Sequence, residues 1–305
     1  MKILVVGAGA VGGYFGGRLL EKGEDVTFLV RKGRKQQLKE TGLVIKSING
    51  DVALEPSLIE SGENVEAFDV ILLSMKAYHL EKAINDFRPY VGPKTVIIPL
   101  LNGISHINKL TAAFSEPNVL GGLCYVESTL DKNGHIIQTS GLHDLVFGER
   151  TGEKTERITR LQQAFKSAKG NYVLSENINR DMWHKYLFIS TFSGVTSLFR
   201  SPIGPIRDDE LGASTIQSTL NEASSIMRSV QAPLADDIVD VNWNKLHSID
   251  YKMKSSLQRD MEKGLSVEGD HFYGYLLRIA KEKEISAPTL EKIYANLKIY
   301  ENQIE

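Results

Sequence analysis

An α/β domain built on a doubly wound parallel sheet, followed by an all-helical domain, is what these 305 residues predict. Three observations carry that reading. Short apolar runs alternate with helical spacing through the first half of the chain. The runs are apolar throughout, as in strands buried on both faces of a helix-covered parallel sheet. Beyond about residue 150 only helical spacing persists.

The elements follow in order. "KILVVG" (2–7) reads as a strand, residues 10–22 as a helix and "DVTFLV" (25–30) as a second strand. "LVIKSINGDVAL" (43–54) is two short runs around Asn49-Gly50, a hairpin signal. "DVILLSM" (69–75) and "TVIIPLL" (95–101) are two more strands, with a helical stretch from Tyr78 to about Phe87 between them. A second hairpin is expected to turn at "DKNG" (131–134). Helices are expected at 153–168, 176–199, 213–230, 268–284 and 287–301. The boundary is placed near "SAKGNYV", giving domains 1–170 and 171–305.

Composition narrows the function. Hydrophobic residues are 42% and charged residues 24%, as in an ordinary soluble protein, and the net charge is −2. With no long basic run, neither nucleic acid nor an anionic membrane is an expected partner. The lone Cys124 cannot form an internal disulfide, which fits a reducing compartment and a cytoplasmic protein. Glycines break the apolar N-terminus, and "EKGED" follows where a signal peptide would need a small-residue cleavage site. No run reaches the length of a membrane span. The histidines lack metal-ligand spacing and no Ser-His-Asp pattern stands out, so no metal is expected.

"ILVVGAGAVGGYFGG" sets Gly7, Gly9 and Gly12 in GxGxxG register between a strand and a helix. This is a Rossmann-type dinucleotide-binding signature: a tight turn, room for a pyrophosphate and close helix–strand packing. Gly7, Ala8, Gly9, Ala10, Val11 and Gly12 are the expected phosphate loop, with the helix N-terminus supplying amides and a positive dipole. At the end of the second strand, where an acid would read a ribose 2′-hydroxyl, stand Arg31, Lys32 and Arg34. Cations there suit a 2′-phosphate, so the expected cofactor is NADP(H).

Lys76 and Asn102 end the next two strands, on the side where open α/β sheets bind ligands. Asn102-Gly103 is equally a common turn, and Lys76 equally a surface lysine. In the helical half, Lys185 sits in "RDMWHKYLFISTF" with Trp183, Tyr186, Leu187, Phe188 and Ile189 around it. An ammonium in apolar surroundings is costly or releases its proton. A snorkelling lysine at a helix margin is the plain alternative. Ser255, Ser256 and Glu268 are further candidates, Glu268 being read as opening a helix.

Together, the N-terminal GxGAVGG with its strand-end arginine, "MKA", "NG", the "WxK" helix and "SSxxxDxxxG" with the later Glu resemble the ketopantoate reductase (2-dehydropantoate 2-reductase) family along essentially the whole chain. The resemblance implies reduction of ketopantoate to D-pantoate by NADPH, on the route to pantothenate and coenzyme A. It implies that Gly7, Gly9 and Gly12 hold phosphates and that Arg31 meets the 2′-phosphate. Lys76 and Asn102 would line nicotinamide and substrate, Lys185 would be the catalytic lysine, Ser256 a substrate-binding serine and Glu268 the acid beside them.

The chain departs from the family pattern around the substrate. Asparagine is usual at the positions of Ile189, Ser193 and Ile203, and "LNG" becomes "FYG" at Phe272–Gly274. Lys185, Ile189 and Ser193 share one helix face, so Ile189 and Ser193 are expected to border the substrate with Lys185. A ligand hydroxyl meeting isoleucine loses a hydrogen bond. Three functions therefore stay open: ketopantoate reductase, a paralogous NADP-dependent 2-oxo or 2-hydroxy acid oxidoreductase with a more apolar pocket, and an NADP-binding sensor. The expected partner is a small 2-oxo acid, with a homodimer the assembly this reading allows.

Overall fold

The computed structural model describes residues 1–304. The chain divides into two compact units, Met1–Leu101 with His106–Ile178, and Asn102–Ser105 with the residues from Asn179 on. The first unit contains β1 (Lys2–Val6), α1 (Ala10–Lys22), β2 (Asp25–Leu29), α2 (Lys32–Thr41), β3 (Leu43–Ser47), β4 (Val52–Leu54) and β5 (Ser57–Ile59). It continues through β6 (Phe68–Leu73), α3 (Leu80–Phe87), β7 (Val91–Pro99), α4 (Ser105–Ala113), whose first residue belongs to the other unit, β8 (Gly121–Leu130), β9 (Ile136–Gly148), α5 (Glu156–Phe165) and β10 (Asn171–Leu174).

One sheet is parallel throughout, in the order β5-β2-β1-β6-β7. Val5 pairs with Phe28 on one side and Leu72 on the other, and all three are fully buried. The continuous apolar runs are thus explained by burial of both faces. The hairpins at Asn49-Gly50 and 131–134 form as expected, but they build a second sheet. There β3 lies parallel to β9, β4 pairs β3, and β8 and β10 pair β9.

Helix α1 packs on both sheets. A Cβ on Gly16 would stand 2.6 Å from Val5 of the first sheet, and one on Gly17 would stand 2.6 Å from Ile45 of the second. The glycines beyond the GxGxxG motif therefore serve close packing. Several elements lie outside the sequence reading, among them β5, α4 and two that bear on the site and the boundary. The basic stretch after β2 is helical from Lys32, and β10 pairs with β9 in parallel, so residues 171–174 belong to the first unit. Four residues form β10, too few for a periodic signal to show.

The second unit is helical: α6 (Ile178–Phe199), nearly all of it in this unit, then α7 (Ile203–Asp208), α8 (Glu210–Ser229), α9 (Ile238–Ser248), α10 (Ser256–Glu262), α11 (Tyr275–Glu282) and α12 (Pro288–Ile304). Within α6 the buried Ser190, Thr191 and Thr196 return their hydroxyls to the carbonyls of Tyr186, Leu187 and Phe192. That satisfies these three buried hydroxyls. The helix expected at 268–284 is interrupted: a π-helical turn, Asp270–Gly274, precedes α11.

In the first unit, Glu149 ties the end of β9 to α5. Its carboxylate accepts from Arg157 Nε and the Thr155 hydroxyl, both at 2.6 Å, and Thr155 caps α5. Burial pushes the Glu149 carboxyl up, but the hydrogen bonds from Arg157 and Thr155 outweigh it and hold the group below its ordinary value. A carboxyl depressed in the fold stabilises above its unfolded pKa and loses that contribution as pH falls through the folded one. Glu149→Ala should cost about 1.5–3 kcal/mol, towards the lower end because 32% of the Arg157 side chain is exposed. Urea unfolding across the acid range should show a shallower fall in the variant; parallel curves would exclude Glu149 as a source of acid sensitivity.

Candidate active site

In the first unit, the sequence-predicted phosphate loop leaves β1 and opens α1. Gly7 takes φ +100°, and a Cβ on it would lie 2.0 Å from the Ser74 carbonyl oxygen. A Cβ on Gly12 would lie 2.2 Å from the Gly7 carbonyl oxygen. Both are therefore required by the fold itself. Gly9 differs: it is the N-cap of α1, with φ −85°, and a Cβ there would meet no atom within 4 Å. Its missing side chain keeps open the space in front of a helix N-terminus whose first turn contains no acid. Such a bare, amide-lined cradle, with Ala8, Ala10 and Val11 between the glycines, fits the pyrophosphate of a dinucleotide.

Beside it, β2 leads to Arg31, the exposed N-cap of α2. Lys32 and Arg34 follow, again with no acid in the first turn. Cations at a helix N-terminus oppose the macrodipole. Arg34 donates from Nε to the Ala8 carbonyl at 3.1 Å and from Nη1 to the Gly134 carbonyl at 2.9 Å, while its buried Nη2 has no hydrogen-bond partner. It braces the Ala8 backbone, and Arg31 and Lys32 are the exposed cations of that cluster. Lys76 follows β6 and is half-buried at the head of a short turn, its carbonyl accepting from His79 N–H at 3.0 Å. Burial, then the charges of Arg31 and Lys82, hold the His79 imidazole below its ordinary value. The loop, Arg31 and Lys76 thus share the carboxyl edge of one sheet.

The second unit gathers most of the other candidates. Lys185 is buried on α6, with 8% exposure, and Ile189 and Ser193 continue its face. Phe188 and Phe192 stack along this helix with ring centroids 5.9 Å apart, and Lys245 Nζ lies 4.3 Å from the Phe188 centroid. The segment after half-buried Glu268 lies along α6. Tyr186, next to Lys185, donates to the Phe272 carbonyl, and Tyr273 donates to the Ser190 carbonyl at 2.8 Å. Glu268 sits just ahead of the helix and not inside it, its carbonyl accepting from Phe272 N–H at 3.0 Å. Asn102 is also in this unit, its carbonyl 2.6 Å from His271 Nε2.

The two serines separate. Ser255 is buried as the N-cap of α10, accepting from Gln258 N–H at 3.1 Å, with its Oγ 2.8 Å from the Thr196 hydroxyl. Ser256 is exposed. Ile203 is fully buried at the start of α7, a core residue at the position where the family pattern has asparagine. His271 and Ser105 were not found by reading motifs, because their partners lie far away along the chain. Among the described residues no group of three or more His, Cys, Asp or Glu is placed to hold a metal, and no helix is long and apolar enough to cross a membrane.

The family model "Ketopantoate reductase PanE/ApbA" matches residues 3–152, and its C-terminal counterpart matches residues 177–301. The "Uncharacterized oxidoreductase YkpB" of Bacillus subtilis (strain 168) is 49% identical over 301 residues, covering 99% of each chain. A 2-dehydropantoate 2-reductase of Aquifex aeolicus (strain VF5) is 24% identical, over 99% of this chain and 97% of that one. The crystal structure of 2-dehydropantoate 2-reductase from Methylococcus capsulatus superposes with a TM-score of 0.87 at 26% identity, covering 100% of this chain and 98% of the other.

The glycines make separable demands, and substitution should reveal them. Gly12→Ala should destabilise the fold by at least about 1–3 kcal/mol, as overpacking does. Gly9→Ala should unfold within about 0.5 kcal/mol of wild type yet bind a nicotinamide dinucleotide much more weakly. Thermal melting and fluorescence titration of both variants test this, and a Gly9→Ala protein with unchanged affinity would remove the ligand from that cradle.

Proposed function

The chain belongs to the ketopantoate reductase family, and from that premise we propose that it reduces a 2-oxo acid to the 2-hydroxy acid with NADPH, 2-dehydropantoate to D-pantoate being the first substrate to test. The observation that carries the reading is the glycine cradle at the end of β1, where Gly9 leaves space that no protein atom uses. The bare cationic head of α2 supports the phosphorylated cofactor, because a 2′-phosphate beside Arg31 and Lys32 offsets the adverse helix dipole. A cytoplasmic setting, a homodimer and service to pantothenate and coenzyme A synthesis go with the first substrate.

Bound in the cradle, the reduced nicotinamide supplies the hydride that the carbonyl carbon takes. The amides of Gly7–Gly12 bind the pyrophosphate, and Arg31 pairs with the 2′-phosphate. Lys76 and Asn102 orient nicotinamide and substrate, and Ser193 and Ser256 bind the substrate. Lys185 holds the proton that the developing alkoxide needs and sets a positive charge against it. Glu268 keeps that ammonium in place. Burial of Lys185 supports a chemical role, since an ammonium removed from water is costly unless a task or a partner requires it.

A second reading concerns the substrate alone. Ile189 continues the Lys185 face beside the stacked Phe188 and Phe192, which favours a 2-oxo acid with an apolar side chain over a hydroxylated one. NADPH oxidation with ketopantoate and a panel of branched and aromatic 2-oxo acids decides between the two. Preference for ketopantoate supports the first; an apolar acid preferred by about 10-fold or more supports the second. NADPH binding without turnover of any acid would leave a sensor.

Two variants test the assigned roles. Arg31→Ala should weaken NADPH by about 1.5–3 kcal/mol, as for a charged hydrogen bond, and leave NADH nearly unchanged; equal losses would detach Arg31 from the extra phosphate. Lys185→Ala should lower kcat about 10²–10⁴-fold while NADPH affinity holds. A folded variant that turns over like wild type would return Lys185 to a packing role.

A further inference from the structure

We propose that His271 is a positioning residue for the reaction: it clamps the Asn102-Gly103 turn from the backbone and thereby fixes the orientation of Asn102. The inference rests on the reading of Asn102 as a residue that touches nicotinamide or substrate. Its geometry is independent of that reading. His271 Nε2 lies 2.6 Å from the Asn102 carbonyl oxygen, and His271 Nδ1 lies 2.9 Å from the Ser105 hydroxyl. A carbonyl oxygen only accepts, so Nε2 carries the hydrogen; a neutral ring then accepts from Ser105 at Nδ1. One imidazole thus grips both ends of the four-residue segment Asn102–Ser105, which belongs to the second unit as His271 does.

The turn is shaped around the ring. Gly103 has φ +79°, and a Cβ on it would lie 2.8 Å from His271 Nε2. The glycine lets the bare backbone reach the imidazole, so the Asn-Gly pair is a seat for His271 as well as a turn. On its other side His271 belongs to the π-helical turn Asp270–Gly274. There consecutive residues serve different partners: His271 holds the Asn102 turn, the Phe272 carbonyl accepts from Tyr186, and the Tyr273 hydroxyl donates to Ser190. Glu268 starts the same segment, its carbonyl accepting from Phe272 N–H. The backbone carrying Asn102 is thereby linked, through His271, Phe272 and Tyr186, to the helix that carries Lys185.

A catalytic group displaced by about 1 Å can cost about 10²-fold in rate. His271→Ala should lower kcat by about that factor with a smaller change in KM. NADPH affinity should hold, because the phosphate loop and Arg31 belong to the other unit. His271→Gln, whose amide can donate to the same carbonyl and whose oxygen can accept from Ser105, should recover most of the loss. Ser105→Ala should have a lesser effect, since the carbonyl still selects the Nε2–H form. Nitrogen-15 spectra of the full-length wild-type chain should show His271 as that tautomer, and amide exchange at Gly103 should accelerate in His271→Ala.

Unchanged kcat in a folded His271→Ala protein, equal losses in the Ala and Gln variants, or an Nδ1–H tautomer would overturn the inference. Should the alanine variant fail to fold, the Gln and Ser105 variants and the wild-type spectrum still decide it. Absence of turnover of any 2-oxo acid by wild type would sink the functional reading instead, while the tautomer and the exchange rates would still judge the clamp.

Discussion

Helix α1 is pressed against two sheets at once, and the architecture of the first unit depends on that contact. Val5 and Phe28 approach it at Gly16, and Leu43 and Ile45 approach it at Gly17. With no Cβ at these positions, the helix backbone lies close to both layers, and the buried side chains of the two sheets form one apolar core around it. The same helix presents its N-terminus at the carboxyl edge of the parallel sheet, so what packs the core also aims the anion-binding end of α1. Gly7 and Gly12 belong to the packing, whereas a Cβ on Gly9 would meet no protein atom within 4 Å.

The second unit meets a different constraint, a long helix with polar groups in an apolar setting. Ser190, Thr191 and Thr196 satisfy theirs within the helix, whereas the buried Ser197 hydroxyl has no hydrogen-bond partner among the described residues. Lys185 is buried on the same helix, which two tyrosine bonds tie to the segment around Phe272. Tyr186 binds the Phe272 carbonyl, and Tyr273 binds that of Ser190. These bonds fix the segment that carries Glu268 and His271 against the helix that carries Lys185. Rigid placement of this kind is what proton transfer requires, because its rate depends on distance and orientation more than on the mere presence of an acid.

In both units neighbouring polar side chains of the same kind meet different surroundings. Arg34 braces the phosphate loop through the Ala8 carbonyl, while its neighbour Arg31 is exposed at the helix cap. Ser255 caps α10 and meets Thr196, while Ser256 is exposed beside it. Side chains adjacent in sequence and alike in chemistry thus differ in burial and partners, and only their surroundings tell them apart.

By itself the sequence determined four of the five strands of the parallel sheet, both hairpins, the GxGxxG turn with its spacing, and the shared helix face of Lys185, Ile189 and Ser193. Each of these depends on consecutive residues, through apolar runs, turn chemistry or the helical period, so local pattern suffices. Tertiary structure decided what local pattern cannot contain. It made the hairpins a second sheet, gave Gly16 and Gly17 their partners, placed residues 171–174 as a strand beside β9, and buried Ile203 in the core. It also joined Asn102 to His271 across 169 positions of sequence. The physical reason is the same throughout: burial and hydrogen-bond partners are properties of distant segments brought into contact, and no periodicity in one segment records what the other will be.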